Sequence, residues 1–260
     1  MHQTPDELFP LSNRYDRTWV DANSLGENTL HFAESLVEAL PLKRGMRVLD
    51  LACGHAISSI FLAREFGVTV WAVDRAVDPT ENFRRVKEMD CEDKVFPLRA
   101  DARSLPFPHD YFDAVVVLDA FVYFGTDERF LPIFARHVKP GGHIGIVDAC
   151  FSREIETADA LPEHLRDAWY QGWSCVHTAE WWRRHWEKSG MLRNVRSERL
   201  PHSDFLKSDF IRRFQDDPDE KDVIAMMQAE GGSLVGSFRM VGERTDYRVQ
   251  LEDDGTAREY

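Results

Sequence analysis

Short apolar runs alternate with amphipathic segments through the first 150 residues of the chain. The runs have the length of strands, and apolar residues between them recur three and four positions apart, which is the period of a helix facing a core. Strands that alternate with helices in this way form parallel sheets, so the order predicts an α/β fold. The predicted strands are 47–51, 68–74, 95–101, 112–119 and 143–148, and the predicted helices are 29–40, a segment from 57 to 63, 78–90 and 126–138, the last capped by Thr126.

The second half of the chain is less regular. A helix over 178–189 is well delimited, because Thr178 is a favourable N-cap residue and Gly190 is a stop signal. A polar helix around 216–230 and a strand at 234–244 are predicted after it.

The same pattern divides the chain into segments. Residues 1–28 are polar with scattered aromatic side chains and are predicted to form a lid over the main domain, residues 29–250. Leucine and tryptophan residues at about 151–176 predict a helical cap within that domain. The charged segment 251–260 is predicted to be a disordered tail.

The first predicted strand runs into a turn of small residues, 50–56, with the sequence Asp-Leu-Ala-Cys-Gly-His-Ala. Small residues let a backbone come close to a ligand, and the N-terminus of the following helix supplies free N–H groups. Asp74 ends the second strand, where a carboxylate can accept hydrogen bonds from ribose hydroxyls, and a second carboxylate, Asp101, ends the third strand. The turn by itself is equally compatible with a nicotinamide dinucleotide.

Composition restricts the partners. The 260 residues carry a formal charge of −13, which argues against nucleic acid or an anionic membrane as the main partner, because both require basic surfaces. We see no signal peptide and no apolar run of membrane-spanning length, so a cytoplasmic location is predicted. The four cysteines form no CxxC pair, and no metal-ligand spacing appears, so no metal is predicted.

Five motifs, in order and at matching spacing between about residues 30 and 150, resemble those of the class I S-adenosylmethionine-dependent methyltransferases. The resemblance implies a Rossmann-like sheet of seven mostly parallel strands with helices on both faces. Segments 121–127 and 177–190 are similar to a bacterial subgroup that acts on small molecules. The five motifs are the turn 50–56, Asp74, the element 100–102, the loop 105–113 leading to Leu118-Asp119, and the turn 138–143.

S-adenosylmethionine is the cofactor that this resemblance implies. The sequence departs from the family at Ala52 and Ala56, where the motif has glycine, so Gly54 is the central position of the turn. The Pro140-Gly141-Gly142 turn and the absence of a Tyr-xxx-Lys relay distinguish the chain from nicotinamide enzymes. The predicted cofactor-binding residues are Asp50, Ala52, Gly54, Asp74, Arg75, Asp101, Ala102 and Asp119.

Catalytic candidates lie after the fourth strand and around the helix 178–189. Methyl transfer requires alignment of the acceptor and often a base. His177 is the best single candidate for the base, although a capping role explains it equally, and Tyr123 is either a site residue or a packed aromatic. Glu154 and Glu180 are further candidates.

The predicted function is methyl transfer to a small apolar acceptor or secondary metabolite, by a chain that is a candidate homo-oligomer. One alternative is C-methylation of a prenyl diphosphate, held by arginines such as Arg183 and Arg184, or Arg14 and Arg17. Tryptophans such as Trp182 and Trp186 would then line the pocket, although core packing explains them as well. A cofactor-binding scaffold without activity and a nicotinamide-dependent enzyme are the alternatives from other classes.

Overall fold

A seven-stranded sheet forms the centre of the computed structural model, which describes residues 5–166 and 173–247. Its strands lie in the order β3-β2-β1-β4-β5-β7-β6, which confirms the predicted Rossmann-like α/β fold. The strands are β1 (Arg47–Leu51), β2 (Thr69–Asp74), β3 (Val95–Arg99), β4 (Phe112–Leu118), β5 (Val138–Phe151), β6 (Leu192–Arg199) and β7 (Val235–Arg244).

The first five strands are parallel, and β7 runs antiparallel between β5 and β6. Parallel strands place all their carboxyl ends at one edge, which is where open α/β sheets bind ligands. The order reverses at β1, whose neighbours are β2 on one side and β4 on the other. The turns after β1 and β4 therefore flank a crevice at that edge.

Helices cover both faces of the sheet. Several have the caps that their sequences predict: the side chain of Asp78 accepts a hydrogen bond from the backbone N–H of Thr80, and that of Thr178 accepts one from Trp181. The α-helices are α1 (Pro5–Leu8), α2 (Arg17–Asn23), α3 (Thr29–Val37), α4 (Ile57–Phe66), α5 (Pro79–Glu88), α6 (Phe130–Ala135), α7 (Ala179–Lys188), α8 (Ser203–Phe214) and α9 (Lys221–Glu230).

Alternate residues of the central strands supply two apolar layers. Val48 of β1 packs with Leu36 of α3 and Ile60 of α4 on one face. Leu49 packs on the other face, in the cluster that contains Trp186. Because both faces are covered, the central strands are apolar almost throughout.

Two predicted features differ in the structure. Thr126 does not begin a helix, because Asp127 accepts the backbone N–H of Arg129 at 2.9 Å and holds a turn before α6. The predicted turn before the fifth strand is instead a bulge within β5: Phe112 pairs with Val138 and Ala114 with His143, so residues 139–142 are not paired in register with residues of β4.

The predicted cap, at about 151–176, is described in part. Its described part contains three turns of 3₁₀ helix, Ala158–Ala160, Glu163–Leu165 and Trp173–Cys175. Trp169, Tyr170 and the predicted tail lie outside the described residues. No helix in the described ranges has the length and apolar character needed to cross a bilayer.

Trp186 provides a test of the core. Its side chain is 0% exposed, so replacing it with alanine leaves a cavity, and we expect the free energy of unfolding to fall by about 3–5 kcal/mol. Denaturant titration measures this change. The control is Phe83→Ala on the 38%-exposed Phe83, which should cost less than about 1 kcal/mol. Equal losses in both variants would contradict the assignment of Trp186 to the core.

Candidate functional site

The turn after β1 has left-handed backbone at three alternate positions. The φ angles are 59° at Ala52, 53° at Gly54 and 59° at Ala56. Glycine adopts this geometry freely, whereas each alanine carries about 1–2 kcal/mol of strain. The two alanines thus occupy the backbone conformation for which the family motif uses glycine.

Asp50 braces this turn from below. The hydroxyls of Ser58 and Ser59, in the first turn of α4, each donate a hydrogen bond of 2.6 Å to its Oδ2. The side chain is fully enclosed, and burial raises its pKa to about 6 in spite of these bonds. Its described contacts therefore join the strand to the helix, beneath the surface at which a ligand would lie.

Asp74 ties the same turn to β2. Its Oδ2 accepts the backbone N–H of Gly54 at 3.0 Å, and its Oδ1 accepts those of Ala76 and Val77 at 2.7 and 3.0 Å. A single carboxylate thus fixes the turns after two neighbouring strands.

The remaining predicted cofactor residues follow along the edge of the sheet. Asp101, which follows β3, is exposed and accepts the backbone N–H of Arg103 at 2.8 Å. Nη1 of Arg75 lies 3.9 Å from its Oδ2, and Ala102 is buried beside it. The structure therefore brings the predicted residues of β1, β2 and β3 to one edge.

The lid crosses this edge at residues 24–28, here called the crossing segment. The backbone N–H of Glu27 donates to Oδ2 of Asp119 at 3.1 Å. A Cβ at Gly26 would lie 2.6 Å from that oxygen, and a Cβ at Gly54 would lie 3.2 Å from Cδ1 of Leu25. The crossing segment thus contacts both the turn after β1 and the residue that follows β4.

A cavity of about 770 Å³ opens beside the crossing segment. It lies between the lid, the ends of β4 and β5, the cap, and helices α8 and α9. Its apolar wall includes Phe32, Trp173, Val176, Phe210 and Met226, and its polar wall includes Glu27, Asp119, Tyr123, Asp148 and Lys207.

Tyr123 is the one residue of the four catalytic candidates that lines this cavity. It is 71% exposed and lies in a 3₁₀ turn, Phe121–Phe124, that Asp148 fixes by accepting the N–H groups of Phe121 and Val122. Partial desolvation at the cavity wall and the nearby charge of Asp119 raise the pKa of its phenol above the usual 10. At neutral pH the phenol is therefore a hydrogen-bond donor and not a base.

The other three candidates surround the start of α7, outside the cavity lining. Nδ1 of His177 lies 2.8 Å from Oε2 of Glu154, and the ring stacks on Trp181 with centroids 3.7 Å apart. Glu154 also accepts the N–H and hydroxyl of Thr178. Glu180 is exposed and pairs with two arginines, which lower its pKa to about 2.

Two tryptophans predicted either as core or as a pocket wall belong to the core. Trp182 and Trp186 are 0% exposed and pack edge-on against Phe121. Neither lines the cavity, whereas Trp173 does.

Sequence reasoning missed most of the cavity. Glu27, Asp148 and the residues of α8 and α9 carry no motif, because they meet only in the folded chain. Asp148 alone had a local signal, since it ends the predicted fifth strand as Asp74 ends the second. Within the described ranges, no group of three or more metal-ligating side chains is placed to hold an ion.

Ala56 tests the geometry of the turn. Ala56→Gly should relieve the left-handed strain and raise the free energy of unfolding by about 1 kcal/mol. Ala63→Gly, in the middle of α4, is the control and should lower it by about 0.5–1 kcal/mol. Denaturant titration compares the two. Destabilisation by Ala56→Gly would contradict the geometry.

The carboxyl group of Asp119 should make the free energy of unfolding depend on pH. Burial first, and then the charge of Asp148, raise its pKa from 3.8 to about 7. Between these values the folded chain holds a proton that the unfolded chain releases, so the group lowers stability as the pH rises through this range. Asp119→Asn should therefore gain stability over the wild type as the pH rises from about 4 to 7, reaching on the order of 2–4 kcal/mol.

Denaturant unfolding at several pH values measures this difference. The exposed Glu92 gives the control, and Glu92→Gln should track the wild type across the range. A constant offset between Asp119→Asn and the wild type would show that the carboxyl group titrates normally.

Known proteins resemble this chain in sequence. Residues 48–142 match the family described as methyltransferase domain. Methyltransferase GfsG of Streptomyces halstedii is 32% identical over 134 residues, covering 50% of this chain and 48% of that protein. The 27-O-demethylrifamycin SV methyltransferase of Amycolatopsis mediterranei (strain S699) is 26% identical over 220 residues, covering 76% and 80%.

The fold is shared with a solved structure. Phosphoethanolamine N-methyltransferase 2 of Haemonchus contortus, in complex with S-adenosyl-L-methionine, superposes with a TM-score of 0.70 at 17% identity, over 94% of this chain and 58% of that one. The chain thus spans about half the length of GfsG and under two thirds of the nematode protein. Residues 48–142 thus match a methyltransferase domain, and the strand order and the superposition show that the chain has the fold of S-adenosylmethionine-dependent methyltransferases.

Proposed function

We propose that this protein transfers the methyl group of S-adenosylmethionine to a small organic acceptor held in the cavity. The observation that carries the proposal is the position of Asp119, which follows β4, the strand paired with β1, and also lines the cavity. A methyl group presented there would face the acceptor. The cavity, at about 770 Å³, has the size of a pocket for a small molecule.

The residues at the edge of the sheet fit the cofactor. The left-handed turn at Gly54 presents backbone to the crevice, Asp74 stands where it can accept hydrogen bonds from ribose hydroxyls, and the exposed Asp101 can accept one from the adenine amino group. Ala52, Arg75 and Ala102 would flank these contacts. Asp50 would act indirectly, by holding the turn to α4.

When bound, the cofactor supplies an activated methyl group on a sulfonium. The chain's own contribution is to hold an acceptor in line with that group and to exclude water. Holding the two reacting groups in line accelerates the reaction, because the entropy of bringing them together is lost on binding. The crossing segment and the cap cover the site on the side away from the sheet.

The catalytic candidates take different roles in this proposal. Tyr123, at the cavity wall, donates a hydrogen bond to the acceptor. His177, Glu154 and Glu180 would act through the start of α7 and the cap, since Glu154 joins His177 to the N-cap residue of that helix. The proposal also includes a cytoplasmic location, self-association of the chain, and a function that does not involve nucleic acid.

Turnover separates this proposal from a scaffold without activity. Formation of S-adenosylhomocysteine from S-adenosylmethionine in the presence of an acceptor panel supports an enzyme. Binding of the cofactor with no product over the whole panel would favour a scaffold, and tight binding of NADH without binding of S-adenosylhomocysteine would favour a nicotinamide enzyme.

Asp74 gives the test of the cofactor site. Asp74→Ala should weaken binding of S-adenosylhomocysteine by about 1–3 kcal/mol, because the ribose hydrogen bonds are lost. Isothermal titration calorimetry measures the affinity. Asp74→Asn should have a smaller effect, since an amide oxygen can still hold the N–H of Gly54.

Asp93→Ala is the matched control. Asp93 is exposed and precedes β3, at the opposite edge of the sheet, so its removal should leave the affinity unchanged. Unchanged affinity in Asp74→Ala would refute the ribose assignment.

A further inference from the structure

The polar wall of the cavity is strongly acidic. Among the described lining residues, seven are carboxylates, and Lys207 is the single lysine or arginine. One of the seven, Glu230, is fully engaged in a turn, where it accepts the N–H groups of Gly232, Leu234 and Val235. The other six are Glu27, Asp119, Asp148, Asp204, Glu220 and Asp222. Of these, Asp148 is also engaged by the backbone, since it accepts the N–H groups of Phe121, Val122 and Ala149.

The arginines predicted to hold an anionic acceptor lie elsewhere. Arg183 and Arg184 pair with Glu180 on the surface of α7. Arg14 lies 3.6 Å from Glu65, and Arg17 lies 3.3 Å from Asp209. None of the four lines the cavity. A diphosphate would therefore enter a cavity whose described wall repels it.

Glu27 is the carboxylate best placed to meet a ligand. Its Oε2 is buried and has no hydrogen-bond partner among the described residues. Its backbone N–H is bonded to Asp119, so the side chain stands beside the residue at which the two halves of the site meet. The nearby Arg213 is directed to Asp209 and to the carbonyl of Gly26, with Nε–Oδ2 and Nη2–O distances of 3.1 and 2.8 Å.

The electrostatics agree with this geometry. Burial and the charge of Asp119 raise the pKa of Glu27, and burial raises that of Asp148 to about 6. Carboxylates that resist ionisation because they are enclosed and close to one another gain stability from a neighbouring positive charge. The remaining wall is aromatic and aliphatic, with Phe32, Trp173 and Phe210 among its members.

From this placement we propose that the methyl acceptor is an amine with an apolar body, which enters as an ammonium ion and gives up its proton to Glu27. The proposal rests on the proposed function, because it names the acceptor of that same transfer. Asp119 and Asp148 lie on the same wall and favour the cation, while the aromatic side chains hold the body of the molecule.

The transfer balances with these groups alone. Glu27 releases its own proton to solvent as the ammonium enters, and its carboxylate then takes a proton from the ammonium, which leaves a lone pair on nitrogen. That lone pair forms the new C–N bond to the methyl carbon while the C–S bond breaks. The electron pair of the C–S bond remains on sulfur. S-adenosylhomocysteine and a methylated amine result, and Glu27 again carries a proton.

Matched probes of different charge test the proposal. Calorimetry on the protein, with and without S-adenosylhomocysteine, would compare 2-phenylethylamine and tryptamine with 2-phenylethanol, tryptophol, 3-phenylpropanoate and geranyl diphosphate. The amines should bind at least about ten-fold more tightly than the alcohols, since the charge is desolvated beside carboxylates. The two anions should show no detectable binding.

Two variants test whether Glu27 causes the preference for amine over alcohol. Glu27→Gln keeps the shape of the side chain and should reduce the preference for amine over alcohol by about ten-fold, leaving the affinity for S-adenosylhomocysteine unchanged. Glu92→Gln removes the same charge from an exposed site before β3 and should leave both unchanged. Thermal unfolding of each variant establishes that it is folded.

Each outcome decides the question. Equal binding of amines and alcohols, tighter binding of an anion, no binding of either amine, or an unchanged preference in Glu27→Gln would overturn the amine proposal and leave methyl transfer intact. Failure to bind S-adenosylhomocysteine would overturn methyl transfer itself. In that case, the affinities of amines and alcohols for the protein alone would still test whether the acidic wall prefers a cation.

Discussion

The carboxylate of Asp74 joins two turns that the sheet alone would leave independent. It accepts N–H groups from Gly54, after β1, and from Ala76 and Val77, after β2. Without this acceptor, three backbone donors at the edge of the sheet would need water or a ligand as partner. The strained conformations of Ala52 and Ala56 persist because the turn is held from this side by Asp74 and from below by Asp50.

The turn and the carboxylates at which we propose that the cofactor binds were predictable because their signals are local. A strand, a small-residue turn and a strand-end carboxylate lie within about 30 residues in a unit of this kind, and parallel strands place their ends together whatever follows. Even the alanines were informative, since positions 52, 54 and 56 are the ones that adopt left-handed backbone. The strand β6 was harder, because it is largely polar and its pairing with β7 spans about 40 intervening residues.

The acceptor half could not be read in this way. Its wall combines the lid near residue 27, the turn after β4 and two helices beyond residue 200, and none of these carries a periodic or motif signal for the others. For His177 the sequence leaves two explanations open. A histidine before a well-capped helix has the residue type of a base, but its partners, Glu154 and Trp181, give it a structural explanation that the sequence already allowed.

The crossing segment has a consequence for the way in which two ligands would be bound. Residues 24–28 touch the turn at Gly54 through Leu25 and the acceptor side through Glu27, with Gly26 against Asp119 between them. A ligand on either side that shifts or orders this segment changes the affinity for a ligand on the other, and by linkage the two factors are equal. Under the proposed function, the crossing segment would therefore link the affinities for cofactor and acceptor thermodynamically.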